Sequence, residues 1–341
     1  MVPGGTILGQ PDLDGVNPLN PQIAITTSSF GKESSEPVDL LRAAGFTLVV
    51  NPHGRKLTKP ETVELVRAAD GLIAGTETLD REVLTQLPRL RVISRVGTAV
   101  DNVDQVCAAE RCIPIYNTPD GPTDGVAELT LAGLLALLRR VPQADASIRR
   151  GEFAKPMGRL LRGKTVAIVG LGRIGKALSK LLQPFAVTIL AVDPVRDEKF
   201  AEQFHVRYVS LEEALPQADV VSLHLAGSPK APLLGEAQLA RMKAGAMLVN
   251  VARGGWVDEN ALLAALQSGK LGGAYLDVFT AEPYKGPLAE LDNVVLTSHI
   301  GSYALECRVG MEVEAAEKVI EFFRQERQER KEPQERKEAA K

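Results

Sequence analysis

The chain has 341 residues, of which 45% are hydrophobic and 24% are charged, with a formal net charge of −3. The length predicts two domains, and the composition predicts that they are packed rather than largely disordered. The near-neutral charge gives no reason to expect nucleic acid or an anionic membrane as a partner. The three cysteines, Cys107, Cys112 and Cys307, have no metal-ligand spacing, which predicts a reduced, cytoplasmic protein without a metal site. No signal peptide is predicted, and the longest apolar stretch, residues 129–138, is too short to cross a bilayer.

The first part of the chain alternates between strand-like and helix-like segments. Residues 1–20 are rich in Gly, Pro, Asn and Asp and are predicted to form an irregular arm. The strands predicted after it are Ile23–Thr27, Thr47–Val50, Gly71–Gly75, Leu90–Ile93 and Ile113–Ile115. The helices predicted between them include Pro37–Ala44 and Lys59–Ala69. This alternation predicts a parallel sheet covered by helices.

A second series begins after the turn-forming segment 117–122. A single long helix is predicted from Val126 to Ile148. The strands predicted next are Thr165–Val169, Thr188–Val192, Val220–Leu223, Met247–Val251, Gly273–Leu276 and Val294–Thr297. Six strands with intervening helices predict a doubly wound α/β fold that binds a dinucleotide. The last helix is predicted from Tyr303 to Phe323, followed by a charged tail that we interpret as solvated and frayed, with a partner-binding role as the alternative.

A glycine-rich turn between the first strand and helix of this series predicts the nucleotide site. Gly170 permits a tight turn, Gly172 lets the backbone approach a pyrophosphate, and Gly175 lets the helix pack against the strand. The motif alone is weak, and a simple packing turn is the alternative. Asp193 strengthens it, because it ends the next strand and would accept hydrogen bonds from the adenosine ribose and repel a 2′-phosphate. NAD is therefore favoured over NADP, although Arg196 nearby keeps NADP as an alternative.

Three side chains follow successive strands at the same edge of the predicted sheet. Arg253 can bind a carboxylate through two parallel hydrogen bonds, and His299 can exchange a proton near neutral pH. Glu282 can hold and orient that imidazole. Each residue also has a purely structural interpretation: a backbone-capping Arg, a turn carboxylate and a packed His. Their shared position beside the glycine loop favours catalysis of an oxidation or reduction at a carbon next to a carboxylate.

A set of short motifs extends this pattern over residues 22–325. They are Ser94–Val103, Asn117–Pro119, Val126–Glu128, Gly170–Gly175, Asn250–Gly255, Asp277–Phe279, Glu282–Pro283 and His299–Gly301. With them the chain resembles the D-isomer-specific 2-hydroxyacid dehydrogenases, especially the D-3-phosphoglycerate dehydrogenase branch. The resemblance implies that Arg253, Glu282 and His299 are catalytic. It also implies a Rossmann cofactor domain inserted into a smaller, flavodoxin-like substrate domain.

The resemblance further implies domain limits and binding residues. The substrate domain would comprise residues 21–120 and 299–325, the NAD-binding domain residues 121–298 and the tail residues 326–341, with a homodimer formed through the NAD-binding domain. Substrate would meet the backbone amides of Val96, Gly97 and Thr98. The residues implied to bind the cofactor are Gly170, Gly172, Arg173, Ile174, Gly175, Asp193, His224, Ala252, Asp277 and Gly301.

The identity of the substrate is left open by Gly75, because the phosphoglycerate branch tends to have Arg near this position. Arg55 and Lys56 are a predicted replacement anion site, with a solvated basic turn as the alternative. The leading hypothesis is an NAD-dependent, phosphoglycerate dehydrogenase-like enzyme. The alternatives are a reductase of hydroxypyruvate, glyoxylate or a phosphono or sulfo analogue, and an NAD(H)-sensing corepressor-like protein.

Overall fold

The computed structural model describes residues 20–338, with side chains up to Glu329, so the predicted arm at 1–20 lies almost entirely outside the described residues. The described chain forms two compact units. The first comprises residues 20–96, 102–117 and 312–338, and the second comprises residues 97–101 and 118–311. No helix in the described part of the chain is long and apolar enough to cross a membrane.

The first unit is built on a five-stranded parallel sheet. Its strands are β1 (Gln22–Ile25), β2 (Thr47–Val50), β3 (Gly71–Ala74), β4 (Val92–Arg95) and β5 (Ile115–Asn117). Their order is β2-β1-β3-β4-β5, with every pairing parallel. The helices are α1 (Glu36–Ala43), α2 (Lys59–Val66), α3 (Arg81–Leu84) and α4 (Gln105–Glu110). This order is the flavodoxin-like one, in which ligands bind at the carboxyl ends of the strands.

The second unit is built on a seven-stranded parallel sheet. Its strands are β6 (Thr165–Val169), β7 (Thr188–Val192), β8 (Val206–Tyr208), β9 (Val220–Leu223), β10 (Ala246–Asn250), β11 (Leu271–Leu276) and β12 (Val294–Leu296). The order β12-β11-β10-β9-β6-β7-β8 reverses direction between β6 and β9, as in a Rossmann fold. The helices are α5 (Thr123–Arg139), α6 (Val141–Arg149), α7 (Arg173–Leu182), α8 (Glu198–Gln203), α9 (Leu211–Gln217), α10 (Glu236–Arg241) and α11 (Glu259–Gln267). The predicted doubly wound α/β fold is confirmed.

Apolar strands explain why both sheets are interior layers. All four residues of β3 and of β9, and all five of β10, are buried. Parallel strands covered by helices on both faces have no solvent face to alternate with, so they appear in the sequence as continuous apolar runs. The edge strand β8 was missed by the sequence prediction, because it has three residues and only Val206 is buried.

The predicted helix from Val126 to Ile148 is wrong in its continuity. The chain breaks at Arg140, which adopts a left-handed conformation with φ of 53° between α5 and α6. Pro142 has no backbone N–H, which is tolerated in the first turn of α6, where it lies. Within a continuous helix this N–H would have to donate to the carbonyl of Leu138. The carbonyl of Leu138 accepts a hydrogen bond from the amide of Arg159 instead, at 2.8 Å.

The last helix, α12 (Leu305–Glu338), extends well past the predicted end at Phe323. Its charged segment consists mainly of Glu, Arg, Lys and Gln, which are strong helix formers. The predicted substrate domain takes in 299–325, whereas residues up to 311 belong to the second unit. Two close contacts within that unit account for this: a Cβ on Gly125 would lie 2.8 Å from Cys307 Sγ, and one on Gly121 would lie 2.5 Å from Met311 Cγ.

Candidate active site

The glycine loop joins β6 to α7 at the carboxyl edge of the second sheet. Gly170 has φ of 95°, and a Cβ there would lie 2.6 Å from the carbonyl oxygen of His224. A Cβ on Gly175 would lie 2.3 Å from the carbonyl oxygen of Gly170, so only glycine allows the helix this close to the turn. Gly172 faces open space at the start of α7, whose first turn is not capped by a side chain. Unpaired amides and the helix dipole make this end suited to a phosphate group.

The neighbouring loop residues differ in their surroundings. Ile174 packs partly buried against the core of the unit, whereas the guanidinium of Arg173 is exposed, with its Nε 2.5 Å from Asp120 Oδ1. Asp193 follows β7 and is fixed by two backbone amides: Leu171 donates to Oδ2 at 2.7 Å and Val195 donates to Oδ1 at 2.8 Å. The carboxylate is therefore anchored directly to the glycine loop, at the position expected for contact with a ribose.

His224 follows β9 beside the glycine loop. Its Nε2 lies 2.8 Å from the hydroxyl of Ser222, and its Nδ1 is buried with no hydrogen-bond partner among the described residues. Burial lowers the pKa of His224 to about 3, so the ring is neutral at physiological pH. A neutral, enclosed imidazole is unsuited to proton exchange with substrate and suited to lining a nucleotide site.

Arg253 lies on the loop after β10. The side chain of Asn250 shapes this loop, accepting from the amide of Ala252 at 3.1 Å and donating to the carbonyl of Arg253 at 3.0 Å. Ala252 is buried, whereas the Arg253 side chain is about one-third exposed. Its Nη1 donates to the Ala252 carbonyl at 2.7 Å, and its Nε lies 3.7 Å from Asp101 Oδ2. The guanidinium is held at its base and retains further donors for a ligand carboxylate.

Glu282 and His299 form a direct hydrogen-bonded pair. His299 Nδ1 lies 2.9 Å from Glu282 Oε2, and the other carboxylate oxygen, Oε1, accepts from the amide of Phe279 at 3.1 Å. Since an ionised carboxylate only accepts hydrogen bonds, Nδ1 carries the proton and Nε2 of the neutral ring is the basic atom. His299 also has a left-handed backbone with φ of 57°. The structure brings these two predicted residues together and places Arg253 on the adjacent loop.

Asp277 is buried at the end of β11 and holds the His299 loop. Its Oδ1 accepts from the amide of Ile300 at 2.8 Å, and its Oδ2 accepts from the amide of Gly301 at 2.9 Å. A hydroxyl bond from Thr297 to Oδ1 at 2.6 Å completes the set. Gly301 is tightly enclosed, because a Cβ there would lie 3.0 Å from Val126 Cγ2. Asp277 was predicted to contact the cofactor, and the hydrogen bonds of its carboxylate within the protein are with this loop.

The turn at 96–98 differs from the prediction. The amide of Val96 donates to the Ala74 carbonyl at 2.9 Å, and the amide of Gly97 donates to the Thr118 hydroxyl at 2.7 Å. These two amides are already used inside the protein, so they do not match the expected role as open donors to substrate. Gly97 has φ of 132°, which only glycine adopts easily, so its function here is to form the turn. Sequence analysis missed Thr118, whose buried hydroxyl sets this geometry.

The predicted anion site at Arg55 and Lys56 is altered by a carboxylate. Arg55 forms two hydrogen bonds with Glu61, at 2.9 Å and 2.6 Å, while Lys56 is exposed. A bidentate partner neutralises the guanidinium and occupies the donors that an anion would need. The prediction overlooked Glu61 because it lies six residues along the chain, in the first turn of α2.

Comparison with known proteins places this site in a family. Residues 131–301 match the family model described as "D-isomer specific 2-hydroxyacid dehydrogenase, NAD binding domain". The chain belongs to the D-isomer specific 2-hydroxyacid dehydrogenases. The matched residues lie within the second unit, which is therefore an NAD-binding domain with NAD as its cofactor.

Relatives of this chain carry two different names. It is 40% identical over 274 residues to D-3-phosphoglycerate dehydrogenase from Methanocaldococcus jannaschii, covering 79% of this chain but 52% of the relative. The chain thus spans about half the length of the D-3-phosphoglycerate dehydrogenases it matches. It is also 40% identical over 272 residues to glyoxylate reductase from Thermococcus litoralis, covering 76% of this chain and 82% of that protein.

Solved structures agree with this assignment. A protein from Thermus thermophilus is similar with a TM-score of 0.80 and 38% identity, over 86% of this chain and 94% of that one. A glyoxylate reductase from Paecilomyes thermophila also has a TM-score of 0.80, with 27% identity over 89% of this chain and 95% of that one. The fold and the family are therefore supported by both sequence and structure.

Proposed function

We propose that the protein interconverts a D-2-hydroxy acid and its 2-keto acid with NAD. The observation that carries this proposal is the 2.9 Å bond between His299 Nδ1 and Glu282, with Arg253 on the neighbouring loop. A basic Nε2 and a guanidinium are the two groups needed to remove a hydroxyl proton and to hold the adjacent carboxylate. These observations support the roles predicted for Arg253, Glu282 and His299, which are part of this proposal.

The reaction divides between these side chains in a simple way. Arg253 binds the substrate carboxylate and fixes C2 in position. In the oxidation direction, His299 Nε2 takes the proton of the C2 hydroxyl as that oxygen becomes a carbonyl, and Glu282 stabilises the resulting imidazolium through Nδ1. In the reduction direction the same Nε2 returns the proton to the oxygen. Held by the glycine loop and Asp193, NAD would supply the hydride acceptor for the oxidation and NADH the hydride donor for the reduction.

The residues of the second unit fit the dinucleotide. Gly172 and the uncapped start of α7 leave room and donors for the pyrophosphate, and Asp193 presents a fixed carboxylate for the ribose. His224 and Ala252 line the same edge of the sheet. The negative charge of Asp193 supports NAD rather than NADP, because a 2′-phosphate would be repelled at this position.

Two features of the first unit support a small substrate without a second anionic group. Arg55 is neutralised by Glu61, and the buried carboxylate of Glu77 accepts hydrogen bonds from the amide of Gly75 at 3.1 and 3.2 Å. A Cβ on Gly75 would lie 3.1 Å from Glu77 Oε2, so a longer side chain, including Arg, is obstructed there. Glyoxylate or hydroxypyruvate is therefore our first candidate class.

D-3-phosphoglycerate is the second candidate, supported by the 40% identity to the Methanocaldococcus enzyme. Replacing both Arg55 and Lys56 with Ala separates the two. For a small keto acid we expect KM to stay within about twofold, since neither side chain would contact it. A rise in KM of tenfold or more for 3-phosphoglycerate would restore the anion site and place this substrate first.

A panel of 2-hydroxy and 2-keto acids with NAD(H) tests the proposed reaction. His299→Asn is expected to lower kcat by a factor of about 10² to 10⁴, as for loss of a general base. His205→Asn is a matched control, because His205 is exposed and also left-handed, with φ of 52°, which Asn tolerates. Undiminished activity of His299→Asn would exclude His299. Tight NADH binding without turnover on any acid would favour the corepressor-like alternative.

A homodimer through the NAD-binding domain is part of the same proposal. The segment after α6 exposes large apolar side chains: Phe153 is 78% exposed, Met157 is 88% and Leu160 is 65%. Several large apolar side chains exposed within one short segment are typical of an association surface. The three cysteines are unpaired, which is compatible with the cytoplasmic location that we also propose. Equilibrium sedimentation of the full chain and of Met157→Glu tests the dimer.

A further inference from the structure

A partly buried chain of hydroxyl groups ends on the carboxylate that holds the His299 loop. Tyr275 lies on β11, and its hydroxyl is 3.0 Å from the hydroxyl of Thr297, which directly follows β12. Thr297 in turn lies 2.6 Å from Asp277 Oδ1. Asp277 also accepts hydrogen bonds from the amides of Ile300 and Gly301. It therefore holds the chain before His299, through Thr297, and after it.

The direction of these hydrogen bonds follows from the groups present. An ionised carboxylate offers only acceptors, so Thr297 donates its single hydroxyl proton to Asp277. The Thr297 oxygen then accepts from Tyr275, whose hydroxyl is the donor that begins the chain. Tyr275 is fully buried, and burial raises its pKa to about 12, so it keeps this proton at neutral pH.

The position of the Tyr275 ring is fixed from the opposite side. A Cβ on Gly133 of α5 would lie 2.2 Å from Tyr275 Cε1, so this glycine provides the space that the ring fills. The backbone amide of Thr297 donates to the carbonyl of Leu276 at 3.0 Å, which aligns the two strands next to the hydroxyl pair. The chain from Tyr275 to Asp277 is thus built on the rigid sheet and on a helix packed against it.

We propose that Tyr275 and Thr297 are positioning residues for His299, acting through Asp277. The loop places His299 in a left-handed conformation that a residue with a Cβ adopts only when its surroundings impose it. Asp277 imposes it with three hydrogen bonds, and Thr297 fixes the rotamer in which both carboxylate oxygens face the loop. The proton on Nδ1 then points to Glu282, and Nε2 is directed away from it. This inference rests on the proposed function of His299.

Three variants and one control separate positioning from packing. Thr297→Val keeps the shape of the side chain and removes the hydroxyl, Thr297→Ser keeps the hydroxyl, and Tyr275→Phe removes the first donor. Thr130→Val is the control, because it deletes another buried hydroxyl of the same unit, one that bonds only the Val126 carbonyl of its own helix. The variants are compared for kcat, for KM, and for the ¹⁵N shifts of the His299 imidazole without substrate.

We expect the neutral His299 ring of the native protein to show the Nδ1–H tautomer, and Thr297→Val to show a mixture of tautomers. Its kcat should fall roughly tenfold or more, because a shift of about 1 Å at a reacting group costs roughly 10²-fold and a smaller shift costs part of that, while KM for NADH changes little. Thr297→Ser should recover most of the rate and the native ¹⁵N pattern. Tyr275→Phe should shift both readouts in the same direction as Thr297→Val, and Thr130→Val should shift neither.

An unchanged ¹⁵N pattern and a kcat within twofold of native in Thr297→Val would overturn the proposal. So would a Thr297→Ser protein as impaired as Thr297→Val, since keeping the hydroxyl would then not preserve the rate. If Thr297→Val does not fold, Tyr275→Phe decides on the same two readouts. The imidazole spectra need no substrate, so a chain inactive on every hydroxy acid would refute the proposed function while the positioning of His299 is still measured.

Discussion

Gly254 lies directly against the peptide that joins Phe279 to Thr280, so that a Cβ on it would be 1.9 Å from the Phe279 carbonyl carbon. This contact joins the loop that carries Arg253 to the loop that carries Glu282. The amide of Phe279 also donates to Glu282 Oε1 at 3.1 Å. The two loops are therefore in direct backbone contact at Gly254, and this contact sets the spacing between Arg253 and Glu282.

Gly254→Ala is expected to lower kcat/KM by about two orders of magnitude. The added methyl group must displace one of the two loops, and a shift of about 1 Å at a reacting group costs roughly 10²-fold. The free energy of unfolding should also fall by about 1–3 kcal/mol, as for other overpacked sites. Steady-state kinetics and urea denaturation measure the two effects.

Gly255→Ala is the matched control, one residue along the same loop. Its Cβ would meet only the ring of Pro229, with Cγ at 3.4 Å and Cδ at 3.6 Å, which are ordinary contacts. We expect its kcat/KM to remain within about threefold of native. Equal losses in both variants would mean that any substitution in this loop is harmful and that the contact with Phe279 has no special importance.

Arg253→Lys should raise KM for the acid by about tenfold or more. A lysine keeps the positive charge but cannot form two parallel hydrogen bonds with a carboxylate, and bonds to charged groups contribute about 1.5–3 kcal/mol each. Arg241→Lys, at an exposed position on α10, should leave KM unchanged. A native KM in Arg253→Lys would show that the carboxylate is bound elsewhere.

Asp193→Asn should reduce the preference for NAD over NADP, measured as the ratio of kcat/KM values, by about tenfold. The substitution removes the negative charge that would repel a 2′-phosphate. Arg196, which stacks over the ring of Tyr208 with its Cζ 5.4 Å from the ring centroid, should then favour NADP further. In Asp193→Asn combined with Arg196→Ala, the extra preference for NADP that Arg196 provides is expected to disappear. An NAD-to-NADP ratio of kcat/KM that is unaffected in both variants would refute the role given to Asp193.

The lowered pKa of His224 predicts how the free energy of unfolding depends on pH. Its pKa is about 3 in the folded protein against an ordinary value of 6.5, so between these values the unfolded chain binds a proton that the folded chain does not. The contribution of His224 is therefore fully present above pH 6.5 and is lost as the pH falls toward 3. The loss is about 1.4 kcal/mol for each pH unit within this window.

His224→Asn should remove this dependence. Between pH 6.5 and 5.0 the native protein should lose at most about 2 kcal/mol more than the variant, measured by urea denaturation without cofactor. His53→Asn is the control, since the side chain of His53 is 44% exposed. Parallel stability curves for native protein and His224→Asn would show that the imidazole is more solvated than its surroundings suggest.

Short motifs and the order of strands were enough to predict the glycine loop and the pairing of Glu282 with His299. The glycine loop was predictable because Gly170 and Gly175 each have a steric reason that the motif encodes. The pairing of Glu282 with His299 followed from both residues succeeding parallel strands at one edge of a sheet. The contact between these two side chains was therefore predictable from the order of strands and loops.

The parts that were missed depend on contacts between distant or ambiguous segments. Nothing in the sequence shows that Glu61 accepts hydrogen bonds from Arg55. Nor does it show that the Thr118 hydroxyl accepts a hydrogen bond from the Gly97 amide. Tyr275 and Thr297 appear in the sequence as ordinary strand residues, because their partnership depends on strand register. The break at Arg140 was missed because the apolar pattern continues past it, although Pro142 is the signal that could have revealed it.

Trp256 is the single tryptophan of the 341-residue chain, and it ends the short 3₁₀ turn Gly254–Trp256 beside Arg253. Its carbonyl accepts from the amides of Leu233 and Leu234, both at 3.0 Å, which holds this turn to the preceding loop. The tryptophan fluorescence of the protein therefore comes from one residue, three positions from the guanidinium that we propose binds the substrate carboxylate. Ligand titrations, energy transfer to NADH and stopped-flow mixing can follow events at this loop without any added label.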